Sequence, residues 1–417
     1  MKPEVSFDKT VTTVKQGDHV HTLVELTAPP APEMQRPPLD VVFVIDRSGS
    51  MTGEPIVAVR EAVAGVLRQM GPNDRAGVVA FDTNASMVLP LGRHDNDKSQ
   101  QRVLQMTTGA STNMSAGWLM GHEMLRDDCS DDRIRRIVVL TDGYVNQGIV
   151  GQDELATMVS IGRQSGITTS LIGFSTDYQE DLLGVLANAG GGNDYWCESA
   201  DPAARVFQRE FDGLANVVAQ NIAIIVEPTD AVAVVGILND FRVTELDNGA
   251  LRVDMGDAFG GETRSIVVGF HLRPHGSAGT VDVATVKISW VATTEGFAAH
   301  TTTIPITVTA AEAGMVDNGA DPRVRAEVTL LEAAKDRRES RRLANEGDFT
   351  ESIKHAQSAV NKLEGLPGQD NALDQARQEL NAMLDRSWNE QMSKQAFTAS
   401  REMSRKRLSQ FRDDDDE

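Results

Sequence analysis

The chain has 417 residues, 40% apolar and 24% charged, a balance that excludes global disorder and leaves room for two or three separately packed domains. A formal net charge of -21, with no basic stripe and interleaved aromatics to offset it, excludes nucleic acid and anionic lipid as expected partners. No run of about 18 apolar residues occurs, and Met1 to Thr10 lacks an apolar leader core, so the expectation is a cytoplasmic protein with no membrane span. The two cysteines, Cys129 and Cys197, have no Cys or His neighbours at metal-site spacing and read as free thiols.

In chain order, residues 1–27 alternate polar and apolar with β-branched side chains, which predicts strands. Residues 28–38 contain five prolines and form a linker. Asp40 to Ile45 is a short, nearly continuous apolar run, the pattern of a strand covered on both faces. Ile56, Val59, Val63, Val66, Leu67 and Met70 then fall on one helical face, with Pro55 suited to the first turn. Further strands are predicted at Ala76–Phe81, Ser86–Leu89, Ile137–Thr141, Thr168–Gly173 and Asp194–Cys197, with helices near Met114–Leu125, Asp153–Gln164 and Glu180–Ala189. The order βαββαβαβαβα predicts a doubly wound, Rossmann-like α/β domain over residues 39–220.

Between Asn221 and Thr309 the period switches to two, with Ile266, Val268, Phe270 and Leu272 on one face. The strands of residues 1–27 would be orphaned edges unless they joined this β-region. The expectation is therefore a multidomain α/β + β protein, in which the α/β domain is inserted into a β-sandwich split between residues 1–27 and 221–310. Residues 321–412 read as helical: Val324, Val328 and Leu331 on one helix, Ile353, Ala356, Val360 and Leu363 on a second, and a third from Ala372 towards Phe411. Residues 413–417 are an acidic, solvated tail.

The chemistry-bearing motif follows the first buried strand. Asp46-Arg47-Ser48-Gly49-Ser50 places a carboxylate and two hydroxyls on one tight loop at the carboxyl end of a strand, where open α/β sheets bind ligands. Thr112, within Gly109-Ala110-Ser111-Thr112-Asn113, and Asp142, within Thr141-Asp142-Gly143, end two other loops that should meet at the same switch point. All are hard oxygen donors, the ligand type of Mg²⁺, which takes about six oxygens and keeps several waters. Arg47 either adds a cation beside the site or faces solvent. Asp127, Asp128, Asp131 and Asp132 lack the Gly and distal Glu of an EF-hand loop and read as a solvated turn.

These three motifs, in this order, resemble the metal-ion-dependent adhesion site of the von Willebrand factor A (VWA) family over roughly Leu39 to Gln220. The resemblance implies direct metal binding by Ser48, Ser50 and Thr112, and direct or water-mediated binding by Asp46 and Asp142. Mg²⁺ is the expected ion, with Mn²⁺ or Ca²⁺ as alternatives, and a partner protein's Glu or Asp would complete the shell. It also implies a final domain helix near Ala203 to Ala219 that shifts in some relatives. The wider layout, with Asn221 to Val226 and Gly260-Gly261-Glu262-Thr263, is similar to inter-alpha-trypsin-inhibitor heavy chains and bacterial homologues of calcium-activated chloride-channel regulators. Intracellular bacterial relatives often serve as scaffolds beside ATPases, kinases or phosphatases, which sets the kind of partner expected. Two rival classes are a metal-dependent hydrolase or phosphatase with Asp46 as nucleophile, and a purely structural oligomeric scaffold. The first lacks a second Asp two residues after Asp46 and a phosphate loop, and its variant with Ser48 or Ser50 as nucleophile lacks a Gly-x-Ser-x-Gly elbow, although His94 and His122 are available as bases. The second leaves the metal loops unexplained.

Overall fold

The computed structural model describes residues 1–14, 17–31, 36–94, 96–126, 132–142, 144–174, 180–197, 211, 213, 216–312, 317 and 319–405. Cys129, the acidic residues Asp127, Asp128 and Asp131, Gly143 and the tail 413–417 lie outside them. The α/β domain is built on β4 (Leu39–Asp46), β5 (Arg75–Phe81), β6 (Ala85–Gly92), β7 (Ile134–Thr141), β8 (Ile167–Phe174) and β9 (Gly191–Cys197). Their order in the sheet is β6-β5-β4-β7-β8-β9, parallel except for the antiparallel edge strand β6. Counted within the domain this is the order 3-2-1-4-5-6, so the connections leave β4 and β7 in opposite directions and open a crevice between their carboxyl ends. Every residue of β4 is buried. Alternate residues feed two cores: Val41, Phe43 and Ile45 pack towards α1 (Glu54–Gln69), while Val42 and Val44 face α3 (Met114–Arg126). Asp40, an anion in an otherwise apolar strand, is held at the opposite end by Arg75 and Arg133, whose guanidiniums reach it at 2.5 and 2.7 Å.

Two elements differ from the sequence reading. A short helix α2 (Asp97–Leu104), capped by the Asn96 side chain accepting from the Ser99 N–H at 3.0 Å, precedes α3. Its mostly polar run hid it from a search for apolar periodicity. At the far end of the domain, Val217 to Ala219 belong to strand β10 (Val217–Pro228), not to a final helix. Val218 and Ala219 are buried in the β-core and Val217 in the core of the α/β domain, and β-branched Val217 and Val218 suit the pleat. Of the rest of that expected helix Phe211, Gly213 and Asn216 are described, the first two helical and Asn216 in a turn. Helices α4 (Gln152–Gln164) and α5 (Glu180–Gly190) complete the described covering of the sheet.

The sandwich is split as expected. One sheet has the order β1-β3-β14-β11, so β3 (Asp18–Thr27) stands inside it, between β1 (Lys2–Phe7) and β14 (Thr263–Leu272), with β11 (Val232–Ile237) at the other edge. The other sheet has the order β12-β13-β10-β15-β16-β2. It joins β2 (Val11–Thr13) to a framework of β10, β12 (Arg242–Glu245), β13 (Leu251–Phe259), β15 (Gly279–Ala292) and β16 (Ala298–Ala311). The inner faces share one core, in which Val20, Val24 and Leu26 of β3 meet Ile224, Ile266, Val268, Phe270 and Ile288. Helix α6 (Pro322–Asn345), capped by Asp321, lays Val324, Val328 and Leu331 over Leu23 and Val267 on the outer face of the first sheet. Helix α7 (Phe349–Leu363) starts at the Asp348 cap.

The expected third helix is two. Helix α8 (Asp370–Leu384) stops before Arg386, which takes a left-handed φ of 53°. Asn389 then accepts from the Met392 N–H at 3.0 Å and opens α9 (Glu390–Arg405). Among the described residues no helix is long and apolar enough to cross a membrane.

Buried charge joins the α/β domain to the sandwich. Arg136 of β7 meets Asp257 of β13 at 2.9 Å, and the carboxylate also accepts from the Thr168 hydroxyl and the Asn221 N–H. Beside it the two backbones nearly touch: a Cβ on Gly256, whose φ is +77°, would lie 2.5 Å from the Gly191 carbonyl oxygen. Breaking a buried pair leaves the surviving charge desolvated, so Asp257→Ala is expected to cost about 3–5 kcal/mol. It should lower the first thermal transition of the intact protein in a calorimetric scan. A transition unchanged from wild type would show that the pair does not hold the two domains together.

Candidate functional site

The three loops named from the sequence meet at the carboxyl edge of the sheet and are hydrogen-bonded to one another in pairs. The first is joined to the second by Gly49 N–H donating to Ala110 O at 3.1 Å and Gly109 N–H donating to Arg47 O at 2.5 Å. The second is joined to the third through Asn146: its side-chain oxygen accepts from the Thr112 N–H at 2.9 Å, and its own N–H donates to Thr112 O at 3.2 Å. The first and third are joined by the Thr141 hydroxyl, which donates to Asp46 Oδ2 at 2.6 Å. Asn113 meanwhile starts α3, accepting from the Ala116 N–H at 3.1 Å, and its N–H donates to Asp82 O.

Asp46, Ser48, Thr112 and Asp142 are all buried, and Ser50 is exposed at the mouth. The Ser48 and Ser50 hydroxyls stand 3.1 Å apart, and the Ser48 N–H donates to Asp46 Oδ1 at 2.8 Å. Burial pushes the Asp46 carboxyl up to about 7, and the neighbouring Asp142 charge pushes the same way, against donation from Thr141 and Ser48. Asp142 Oδ1 accepts from the Tyr144 N–H at 3.3 Å, while Asp142 Oδ2 is buried with no hydrogen-bond partner. Water-excluded carboxylate oxygens of this kind are costly unless something positive completes them. The donors present are two carboxylates and three hydroxyls, hard oxygens that suit Mg²⁺, Mn²⁺ or Ca²⁺. Among the described residues no group of three or more His, Cys, Asp or Glu is placed to hold a metal, so a cation here would depend on the hydroxyls.

Arg47 does not stand as an unattached cation: it pairs with Asp82 Oδ2 at 2.9 Å. The sequence reading missed Asp82, Asn146 and the hydrogen-bonding role of Thr141. Asp82 directly follows the apolar run of β5, a position at the ligand-binding edge that could have drawn attention to it. Asn146 had no comparable signal. The two candidate bases of the hydrolase reading are held in other contacts: His94 with Pro90 O at 2.7 Å and Ser99 Oγ at 3.1 Å, and His122 stacked on Trp118 with ring centres 5.0 Å apart.

A doubly wound sheet with hydroxyl-and-carboxylate loops at its switch point, set into a β-sandwich, places the protein among those built on a Rossmann-like α/β module. Residues 40–209 match the family model for the von Willebrand factor type A domain, and the chain carries a domain of that family. Such domains are commonly protein-interaction modules. Among curated relatives, uncharacterized protein YfbK of Escherichia coli is 25% identical over 62% of this chain and 46% of its own length. Inter-alpha-trypsin inhibitor heavy chain H4 of Homo sapiens is 26% identical over 49% of this chain and 24% of its own length. The chain thus spans less than half of either relative. Among solved structures, von Willebrand factor type A from Catenulispora acidiphila superposes with a TM-score of 0.72 at 18% identity, covering 90% of this chain and 89% of that one. The ArnB paralog VWA2 from Sulfolobus acidocaldarius gives 0.66 at 14% identity, covering 97% and 98%. These two structures share the fold over nearly the whole chain.

The close approach of the loops can be tested apart from any ligand. A Cβ on Gly109 would lie 2.2 Å from Asp82 Oδ2, the oxygen that binds Arg47. Gly109→Val should therefore displace the Asp82–Arg47 pair and destabilise the domain by about 1–3 kcal/mol in denaturant unfolding. Wild-type stability would mean that the loops are slack.

Proposed function

We propose that the protein is a non-enzymatic, divalent-metal-dependent binding protein that captures an acidic side chain of a partner protein at the loops of Asp46, Thr112 and Asp142. The observation that carries this reading is the buried Asp142 oxygen with no hydrogen-bond partner, beside a desolvated Asp46 and among hydroxyl donors. In it, Ser48, Ser50 and Thr112 hold Mg²⁺ (or Mn²⁺ or Ca²⁺) through their hydroxyls, and Asp46 and Asp142 do so directly or through water. A bound ion supplies a Lewis-acidic centre whose positive charge is incompletely neutralised, because few carboxylates contact it. A partner's Glu or Asp is the complementary ligand. Ser50, exposed at the mouth, marks the open side.

The rim supports a protein partner. Tyr144, Ile149 and Val150, on the loop after Asp142, are 43%, 37% and 56% exposed. They offer an apolar border around a charged centre, the arrangement of an interaction hot spot. A cytoplasmic setting, and a partner belonging to an ATPase, kinase or phosphatase system, are further parts of this proposal.

Two measurements test it. Millimolar Mg²⁺ should raise the melting temperature of the wild type over its value in EDTA and leave Asp142→Ala unchanged, because binding to the folded state alone stabilises it by mass action. A partner captured from host lysate should be retained with Mg²⁺ and lost with EDTA or in the folded Asp46→Ala/Ser48→Ala variant. Equal capture under all three conditions would remove the proposed mechanism. Val150→Asp should weaken that capture about tenfold or more while preserving the Mg²⁺-dependent melting shift; undiminished capture would take the rim out of the interface.

A further inference from the structure

Outside the α/β domain, β3 and β14 bring together two histidines 252 positions apart in the chain. His19 and His271 are directly opposed in the antiparallel register. Two residues along, the N–H and C=O of His21 both bond to Asp8, on the side of β3 away from β14. His19, with the same backbone orientation, therefore opposes His271 at a non-hydrogen-bonded pair, the site where facing side chains come closest. His19 Nε2 and His271 Nδ1 stand 2.9 Å apart, with the rings edge-on at 74°. His19 is exposed and His271 half-buried, so the shared edge is open to solvent.

We propose that His19 and His271 form a two-imidazole site for a late first-row transition metal, separate from the loops of Asp46 and Asp142. Two nitrogens each about 2.05 Å from one metal lie about 2.9 Å apart at a right angle and about 3.3 Å apart at a tetrahedral angle. The observed separation fits adjacent corners of a tetragonal shell, the geometry of Cu²⁺ and Ni²⁺, with water on the remaining corners. Imidazole ligands and the Irving–Williams order favour Cu²⁺ most, then Ni²⁺, then Zn²⁺ over Mg²⁺ or Ca²⁺, so the two sites take different ions. The chain's net charge of -21 raises the local concentration of either cation. The metal would take the place of the hydrogen bond between the two rings, each keeping its N–H on the nitrogen that faces away. It would then staple the N-terminal strand to the strand that follows the inserted domain, a cross-link closing a very long loop.

The test uses the full chain, stripped with EDTA and returned to buffer containing millimolar Mg²⁺, then titrated with CuCl₂ and with NiCl₂ in a calorimeter. Electron paramagnetic resonance of the Cu²⁺ form counts nitrogen ligands. Expected are one saturable site with two equatorial nitrogens, affinity at least about tenfold lower in His19→Gln and in His271→Gln, and no loss in His355→Gln. Cu²⁺ should also raise the melting temperature of the wild type and not that of the His19→Gln/His271→Gln double variant. Equal affinity in wild type and the folded double variant, or a one-nitrogen spectrum, would overturn the proposal. The Mg²⁺-dependent melting shift should survive both substitutions, so failure here is distinguishable from failure of the adhesion-site reading.

Discussion

Two carboxylates buried at the carboxyl ends of neighbouring parallel strands are the constraint on which the rest of the site depends. Asp46 ends β4, and Asp142 follows β7 directly. The order 3-2-1-4-5-6 makes those strands adjacent and sends their connections apart, so both side chains enter one crevice. Hydrogen bonds from Thr141 and Ser48 satisfy Asp46 in part, and one oxygen of Asp142 has no hydrogen-bond partner. A site of this kind stores the cost of desolvating negative charge, a cost that a cation would release. The surrounding hydroxyls add oxygen donors without adding charge, which in the proposed reading would leave a bound cation attractive to a further anion.

Holding those oxygens in place falls to a frame outside the site. The sandwich grips β7 through Arg136 and Asp257 near the strand end opposite Asp142. The C-terminal helices grip α5 and β9: Arg401 reaches Asp194 at 2.6 Å, Arg341 pairs with Asp181, and both guanidiniums lie over the Phe397 ring, at 5.4 and 4.9 Å from its centre. Stacked guanidinium, ring and carboxylate contacts resist shear better than an isolated surface pair, because one side chain restrains the next. The α/β domain is thus braced on two sides while its carboxyl edge stays open.

Local patterns made much of the molecule legible in the sequence. The strands of the α/β domain showed as apolar runs because parallel strands are covered on both faces. The candidate loops showed because Asp46, Ser48 and Ser50 sit within five residues. What was missed depends on pairing across long separations or on competition between local signals. The Arg47–Asp82 and Arg136–Asp257 pairs and the facing of His19 and His271 required knowing the sheet register. The single helix expected from Ala372 broke because Asn389 caps a new helix and Arg386 adopts a left-handed turn, and neither residue disturbs apolar periodicity. At β10 the strand claimed Val217 to Ala219 from the expected helix, with Val217 packed into the α/β core and Val218 and Ala219 into the β-core, tertiary packing overriding a helical reading of the segment.

The most direct test is a crystal of the intact protein grown or soaked with MnCl₂, with data collected for anomalous scattering. A single strong anomalous peak bounded by the hydroxyls of Ser48, Ser50 and Thr112 and by the Asp142 carboxylate is the expected result. A site without such a peak at saturating Mn²⁺, with Asp142 Oδ2 instead meeting a protein group or water, would contradict metal capture as the purpose of the buried carboxylates.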